Sequence, residues 1–165
     1  MPSRMSPLLR SAIAFLLLPG VVGFAIPVAL LVVDGQLTLR WTPMAGAGGL
    51  VWLAGIAGLL WCVTAFHTIG DGTLAPWDPA RRLVRVGLYS VSRNPMYISV
   101  LLILVGWALV FGSWTLTLYT VAVAVAFHLR VILAEEPALA RTFGDEWLDY
   151  QAVVPRWLGH AGTRV

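Results

Sequence analysis

Pro95 to Ala134, PMYISVLLILVGWALVFGSWTLTLYTVAVAVAFHLRVILA, is the stretch that decides the fold. It is apolar almost throughout and is interrupted only near Phe111-Gly112-Ser113. Each arm, at roughly 17–22 residues, is long enough to cross a hydrocarbon core of about 30 Å as a helix. Gly112 and Ser113 supply turn chemistry between the arms, so the stretch predicts a tight helical hairpin of two membrane spans.

Two further spans precede the hairpin. Ser11 to Val33 runs 23 residues without a charge. It follows Arg4 and Arg10 as a signal sequence would, but its apolar stretch exceeds the roughly 7–15 residues of a signal core and no clear cleavage site ends it. It reads as a true span, kinked where Pro19 and Pro27 interrupt it. Met44 to Phe66 is the second span. Its small residues, Gly55 among them, permit close helix approach, and packing within one bundle explains them better than a dimer motif.

Composition supports this reading. Of 165 residues 59% are hydrophobic and 12% charged, with a mean hydropathy of +0.82. A soluble domain of this size could not hide so much apolar side chain, and a disordered chain needs the opposite composition. A single cysteine, Cys62, excludes a disulfide framework and Cys-rich metal sites. The net charge of +3 comes from scattered arginines rather than a basic stripe, which argues against nucleic acid as a partner. Three histidines without metal-ligand spacing give no metal site. The expected architecture is an all-α integral membrane protein of one domain, residues 1–165, with four spans and a C-terminal amphipathic helix on the membrane surface.

Orientation follows from the arginines. Arg4 and Arg10 precede the first span; Arg81, Arg82, Arg85 and Arg93 lie between the second and third; Arg130, Arg141, Arg156 and Arg164 lie at or beyond the end of the fourth. Ten of the eleven arginines therefore share one side, which the positive-inside rule makes cytoplasmic, with both termini. Trp41, Trp107 and Trp114 suit an aromatic belt. The protein is expected to be multi-pass in the cytoplasmic (inner) membrane.

Chemistry should gather on that face. Gly70-Asp71-Gly72-Thr73 and Ala75-Pro76-Trp77-Asp78-Pro79 read as an irregular loop, with Leu83 to Val86 extended against the membrane surface. Asn94 suits an N-cap, Pro95 the first helical position, and Tyr97 the first turn of the third span. A helix start offers free N–H donors and a positive dipole end to a carboxylate or phosphate. The same residues would also serve as a plain helix cap, with Arg93 reaching lipid phosphates. At the foot of the fourth span, His128 and Glu135 are two helical turns apart and predicted to face the same way, with Glu136 beside them. Titratable groups at a membrane boundary are costly unless paired or functional. Beyond Gly144, Asp145 suits the N-cap of a helix over 146–153, with Trp147, Tyr150 and Val154 on one face, lying flat on the bilayer.

Gly87-x-Tyr89 followed by Arg93-Asn94-Pro95-x-Tyr97 is similar to the G-x-Y-x₃-R-[HN]-P-x-Y motif of the isoprenylcysteine carboxyl methyltransferase family. Leu83-Val84-x-x-Gly87 fits as well. The later run from Glu135-Glu136 through Leu139, Phe143-Gly144, Glu146-Trp147 and Tyr150 to Val154-Pro155 resembles that family's C-terminal signature. The motifs are also similar to those of phospholipid N-methyltransferases. The likeness covers residues 70–158, whereas residues 11–66 match only as hydrophobic segments.

The resemblance implies a small membrane-embedded methyltransferase using S-adenosylmethionine, with a lipophilic acceptor entering from the bilayer. Membrane lipids and a lipophilic or lipid-modified small molecule are the implied partners. It points to Gly87, Leu88, Tyr89, Arg93, Asn94, Pro95, Tyr97, His128, Glu135 and Glu136 as the cofactor site. Arg93 and the helix start would take the cofactor carboxylate, and Glu135 and Glu136 its ammonium or ribose hydroxyls. Tyr89 and Tyr97 would stack on adenine or face the cation. Glu135, Arg93 and His128 are the expected catalytic residues, with His128 or Glu135 as base. Asn94 stands where the carboxyl methyltransferases commonly carry His, and Val131-Ile132-Leu133-Ala134 is less basic than the matching family segment. These departures leave lipid, quinone-like and other hydrophobic acceptors open beside prenylcysteine. Two other classes stay open at this stage: a nicotinamide-dependent sterol or enone reductase, and a non-catalytic membrane scaffold.

Overall fold

The computed structural model describes residues 16–39, 41–70 and 82–158. Arg4, Arg10, Arg81, Arg164 and the loop motifs within 71–79 lie outside the described residues. All regular elements described are helical. Helix α1 comprises a wide-turned segment, Leu16–Ala25, continued as regular helix over Ile26–Val33. Helix α2 is Pro43–Thr68 and α3 is Pro95–Phe111. Helix α4 is Trp114–Arg130 and continues through a wide turn at Val131–Glu135. Two short helices follow, α5 (Glu136–Phe143) and α6 (Asp145–Val153). A single 3₁₀ turn, Gly87–Ser90, precedes α3.

Two stretches are long and apolar enough to cross a bilayer: Pro43–Phe66, 24 residues, and Trp114–Phe143, 30 residues. Pro19–Val33 and Pro95–Phe111 are shorter apolar helices. Outward-facing Leu50, Leu53, Leu60, Leu118, Val121 and Val125 are all more than half exposed, an apolar coat suited to lipid rather than water.

The hairpin forms where its sequence predicts. Gly112 closes α3 in the left-handed conformation at φ 60°, and the Ser113 hydroxyl caps α4 by accepting from Leu116 N at 3.3 Å. Helix α2 lies antiparallel against α3, with Gly48 beside Leu109 and Gly58 beside Ser99. A Cβ on Gly55 would lie 2.8 Å from both Ile103 N and Ser99 O, and one on Gly106 2.8 Å from Trp52 N. Gly48 and Gly55 of α2 therefore serve packing within the bundle, because only glycine lets these backbones meet.

Pro19 lies inside the wide-turned part of α1, and Pro27 in the first turn of its regular part. Pro27 has no N–H to return to the preceding turn. In the turn before it, the carbonyls of Gly23 and Val22 accept from Trp107 Nε1 at 3.1 Å and Tyr119 Oη at 3.0 Å. Helix α1 is thus docked onto α3 and α4, just before Pro27, through backbone acceptors that apolar surroundings would otherwise leave unpaired. Trp107 accordingly faces the bundle, whereas Trp41 and Trp114 stay exposed.

Two expectations about the membrane-surface segments are revised. Val84 is buried with Cys62, Ala65 and Tyr89, and Leu83 packs against Trp147, Tyr150 and Val154. Trp147 and Tyr150, expected to face the bilayer, are each 3% exposed. The shared apolar face of α6 exists, but protein covers it. Burying two aromatic rings against Leu83, Leu139 and Phe143 removes as much apolar surface as lipid contact would and also fixes the short helix in place.

Candidate active site at the polar end of the bundle

The wide turn Val131–Glu135 sets the geometry of the site. Pro137 cannot donate to the carbonyl four residues earlier, and the ladder relaxes so that Glu136 N bonds to Val131 O, five residues back. The extra residue per turn breaks the 3.6-residue register below His128. Contacts of His128 and Glu135 consequently diverge, contrary to the shared face that regular spacing predicts. Glu135 Oε1 accepts from Tyr97 Oη and, at 2.7 Å, from Arg130 Nε. Arg130 Nε also lies 3.1 Å from Tyr97 Oη, and the Tyr97 ring packs at a tilt against Phe127 with centroids 4.4 Å apart. His128 instead accepts at Nδ1 from Trp157 Nε1, 3.2 Å away.

Glu136 turns toward the start of α3. Arg93 Nη1 approaches its Oε1 at 2.9 Å, and Arg156 adds two hydrogen bonds, Nε to Oε1 at 2.8 Å and Nη2 to Oε2 at 2.7 Å. The Arg93 side chain is 7% exposed and Glu136 12%. The guanidinium also lies over the Trp147 ring, 5.3 Å from its centroid. Burial pulls Arg93 below its usual pKa against the opposing pull of Glu136, while hydrogen bonding to Glu136 raises Arg156. The Nη1 approach is an ion pair without hydrogen-bond alignment: among the described residues Arg93 Nε and Nη1 have no hydrogen-bond partner. Of the two, Nε has no carboxylate beside it either; a buried donor of this kind is rare and marks a place where an acceptor belongs.

Asn94 precedes α3 as predicted, but its side chain makes no cap bond. Its Nδ2 donates to Arg156 O at 3.0 Å, joined there by Ser92 Oγ at 3.2 Å, and Arg93 N donates to Pro155 O at 2.9 Å. Pro95 takes the first helical position. Gly87 has φ 58°, and a Cβ there would fall 2.0 Å from the Trp61 ring. Leu88 is partly exposed, while Tyr89 is buried between Trp61 and Phe66. Its carbonyl accepts from Tyr150 Oη at 2.6 Å, and burial raises its phenol far above the usual range. Gly87 and Tyr89 are thus placed as framework, whereas Arg93, Tyr97, Glu135 and Glu136 converge where α3 begins and α4 ends.

Arg130, Arg156, Ser92 and Trp157 also belong to this constellation, although none was singled out as a site residue. Arg130 carries a sequence signal, a lone cation five residues before Glu135. The others act through a returning segment that only tertiary structure brings to α3. A separate cavity of about 470 Å³ is lined by Thr68, Ile69, Arg82, Leu83, Phe143 and Glu146. Glu146 also pairs with Arg85, and none of these residues belongs to the Glu135 cluster.

Comparison with known proteins bears on this arrangement. The profile of the phospholipid methyltransferase family matches residues 47–146, from α2 into α6. An uncharacterized protein of Haemophilus influenzae is 38% identical over 63 residues, which is 38% of this chain and the whole of that protein. No solved structure matches the chain.

Proposed function

The chain belongs to the phospholipid methyltransferase family, and from that premise we propose that it transfers a methyl group from S-adenosylmethionine to a lipophilic acceptor at the cytoplasmic membrane face. Membership itself carries methyl transfer to a lipid-type substrate. The cofactor, the face and the residue roles are our reading, as are four spans with cytoplasmic termini, which the arginine distribution supports.

The observation that carries the proposal is Arg93, a buried guanidinium with two N–H groups lacking hydrogen-bond partners at the start of α3. Nε–H and Nη1 lie on different edges of the guanidinium, so each calls for its own oxygen acceptor; an anionic oxygen suits Nε–H best, and the carboxylate of S-adenosylmethionine supplies one. Both donors to Glu135 address Oε1, so Oε2 is the oxygen suited to an ammonium or ribose hydroxyl. The residues fit the group. When bound, S-adenosylmethionine supplies an electrophilic methyl on a sulfonium. Glu135 favours the positive charge, Tyr97 and Arg130 orient Glu135, and Glu136 with Arg156 holds Arg93. Methyl transfer is an in-line displacement, so alignment and water exclusion provide most of the rate. Where the acceptor has a proton to lose, Glu135 is the base.

S-adenosylhomocysteine should raise the melting temperature of the purified protein. A ligand at about a hundredfold excess over Kd stabilises the folded state by about 2.7 kcal/mol, or roughly 5–11 °C for a chain of this size. Glu135→Gln should weaken binding with the unliganded melting temperature preserved. No shift at saturation would refute the cofactor assignment.

A further inference from the structure

The segment after α6 returns across the site and is held at consecutive residues. Pro155 O accepts from Arg93 N at 2.9 Å, Arg156 O from Ser92 Oγ and Asn94 Nδ2, and the Arg156 guanidinium grips Glu136 through two bonds. With its two preceding residues anchored, Trp157 has little freedom. Its indole Nε1 points at His128 Nδ1, 3.2 Å away, with ring centroids 6.2 Å apart.

An indole N–H can only donate. Nδ1 of His128 must therefore be the bare, accepting nitrogen, and a neutral imidazole in that state carries its proton on Nε2. Nδ1, the nitrogen with the lone pair, is thus turned to Trp157, and Nε2 presents an N–H donor. We propose that Trp157 is a positioning residue that holds His128 as the Nε2–H tautomer. His128 acts as a hydrogen-bond donor toward an oxygen of the lipid-type acceptor, and proton acceptance belongs to Glu135. The tautomer follows from the Trp157 contact alone; the donor role rests on the methyl-transfer reading above.

Two measurements on the full-length protein in lipid nanodiscs test this. Nuclear magnetic resonance of the ¹⁵N-labelled protein at pH 8 should show coupling across an N–H···N bond between Trp157 Nε1 and His128 Nδ1. The signal should vanish in Trp157→Phe and in His128→Gln, which also assigns it. No coupling, or a proton on Nδ1, overturns the tautomer whatever the activity. In methyl-transfer assays, His128→Gln, whose amide still donates, should stay within about tenfold of wild type, the scale of one altered neutral hydrogen bond. His128→Ala should fall further. Removing a general base costs roughly 10²–10⁴-fold, so an equal loss of that size in both variants overturns the donor role. A protein that shows the coupling but transfers no methyl group refutes the function proposed above and the donor role with it, while the tautomer stands.

Discussion

Loss of Glu136 should be costly, because it pairs with a buried guanidinium. It neutralises Arg93, itself 7% exposed, and is 12% exposed. Glu136→Gln preserves shape and most hydrogen bonding but leaves the Arg93 charge buried. Arg156, at 35% exposure, can turn toward solvent; Arg93, covered by Trp147, cannot. Removing one partner of a buried ion pair costs about 3–5 kcal/mol. For a chain of this size, that corresponds to a fall of roughly 6–20 °C in melting temperature. The assay is thermal unfolding in detergent, followed by circular dichroism without ligand. A second variant isolates the cause: Arg93→Met combined with Glu136→Gln removes the stranded charge and keeps much of the volume, so it should recover a large part of the loss. If Glu136→Gln melts within the range of a surface substitution, about 0.5 kcal/mol, Arg93 is not a desolvated charge. If the double variant is less stable than the single one, the loss has another origin.

Two further outcomes are expected. Gly55→Leu should disrupt the α2–α3 contact, because its Cβ would meet the α3 backbone at 2.8 Å, whereas Gly46→Leu, with open space around its Cβ, should leave the melting temperature nearly unchanged. Tyr150→Phe should cost about 1–3 kcal/mol by leaving the buried Tyr89 carbonyl without its donor. Burial pushes the Tyr150 phenol up to about 12 from an ordinary value of 10.0. A raised folded-state pKa means this contribution is complete below pH 10 and is lost as pH rises toward 12. Stability titrations should therefore show a shallower decline across that window in Tyr150→Phe than in wild type.

Much of the architecture was legible in the chain. The uncharged runs set helix lengths, Gly112 and Ser113 marked the hairpin turn, and Gly144 marked the break between α5 and α6. These are local effects, set by backbone conformation and by the cost of exposing polar groups to lipid. The association of Arg93, Tyr97, Glu135 and Glu136 was also foreshadowed, because two short motifs separated by a hairpin return to the same end of the bundle. The surroundings of Tyr89, Trp147 and Leu83 were not legible. An apolar side chain near a membrane can be covered by lipid or by protein at similar gain, so periodicity cannot choose between them.

What the sequence determined by itself is an apolar helical protein whose arginines and carboxylates gather at the helix ends, since burying ionisable groups in hydrocarbon is prohibitive. Which carboxylate meets which arginine was decided by tertiary structure. One wide turn above Pro137 rotates Glu135 toward Tyr97 and away from His128, and the returning segment at Arg156 and Trp157 supplies partners 20 and 29 residues distant. A single missing backbone N–H changes the helical register by one residue. The directions in which charged side chains point follow that register, whereas overall hydropathy does not respond to it.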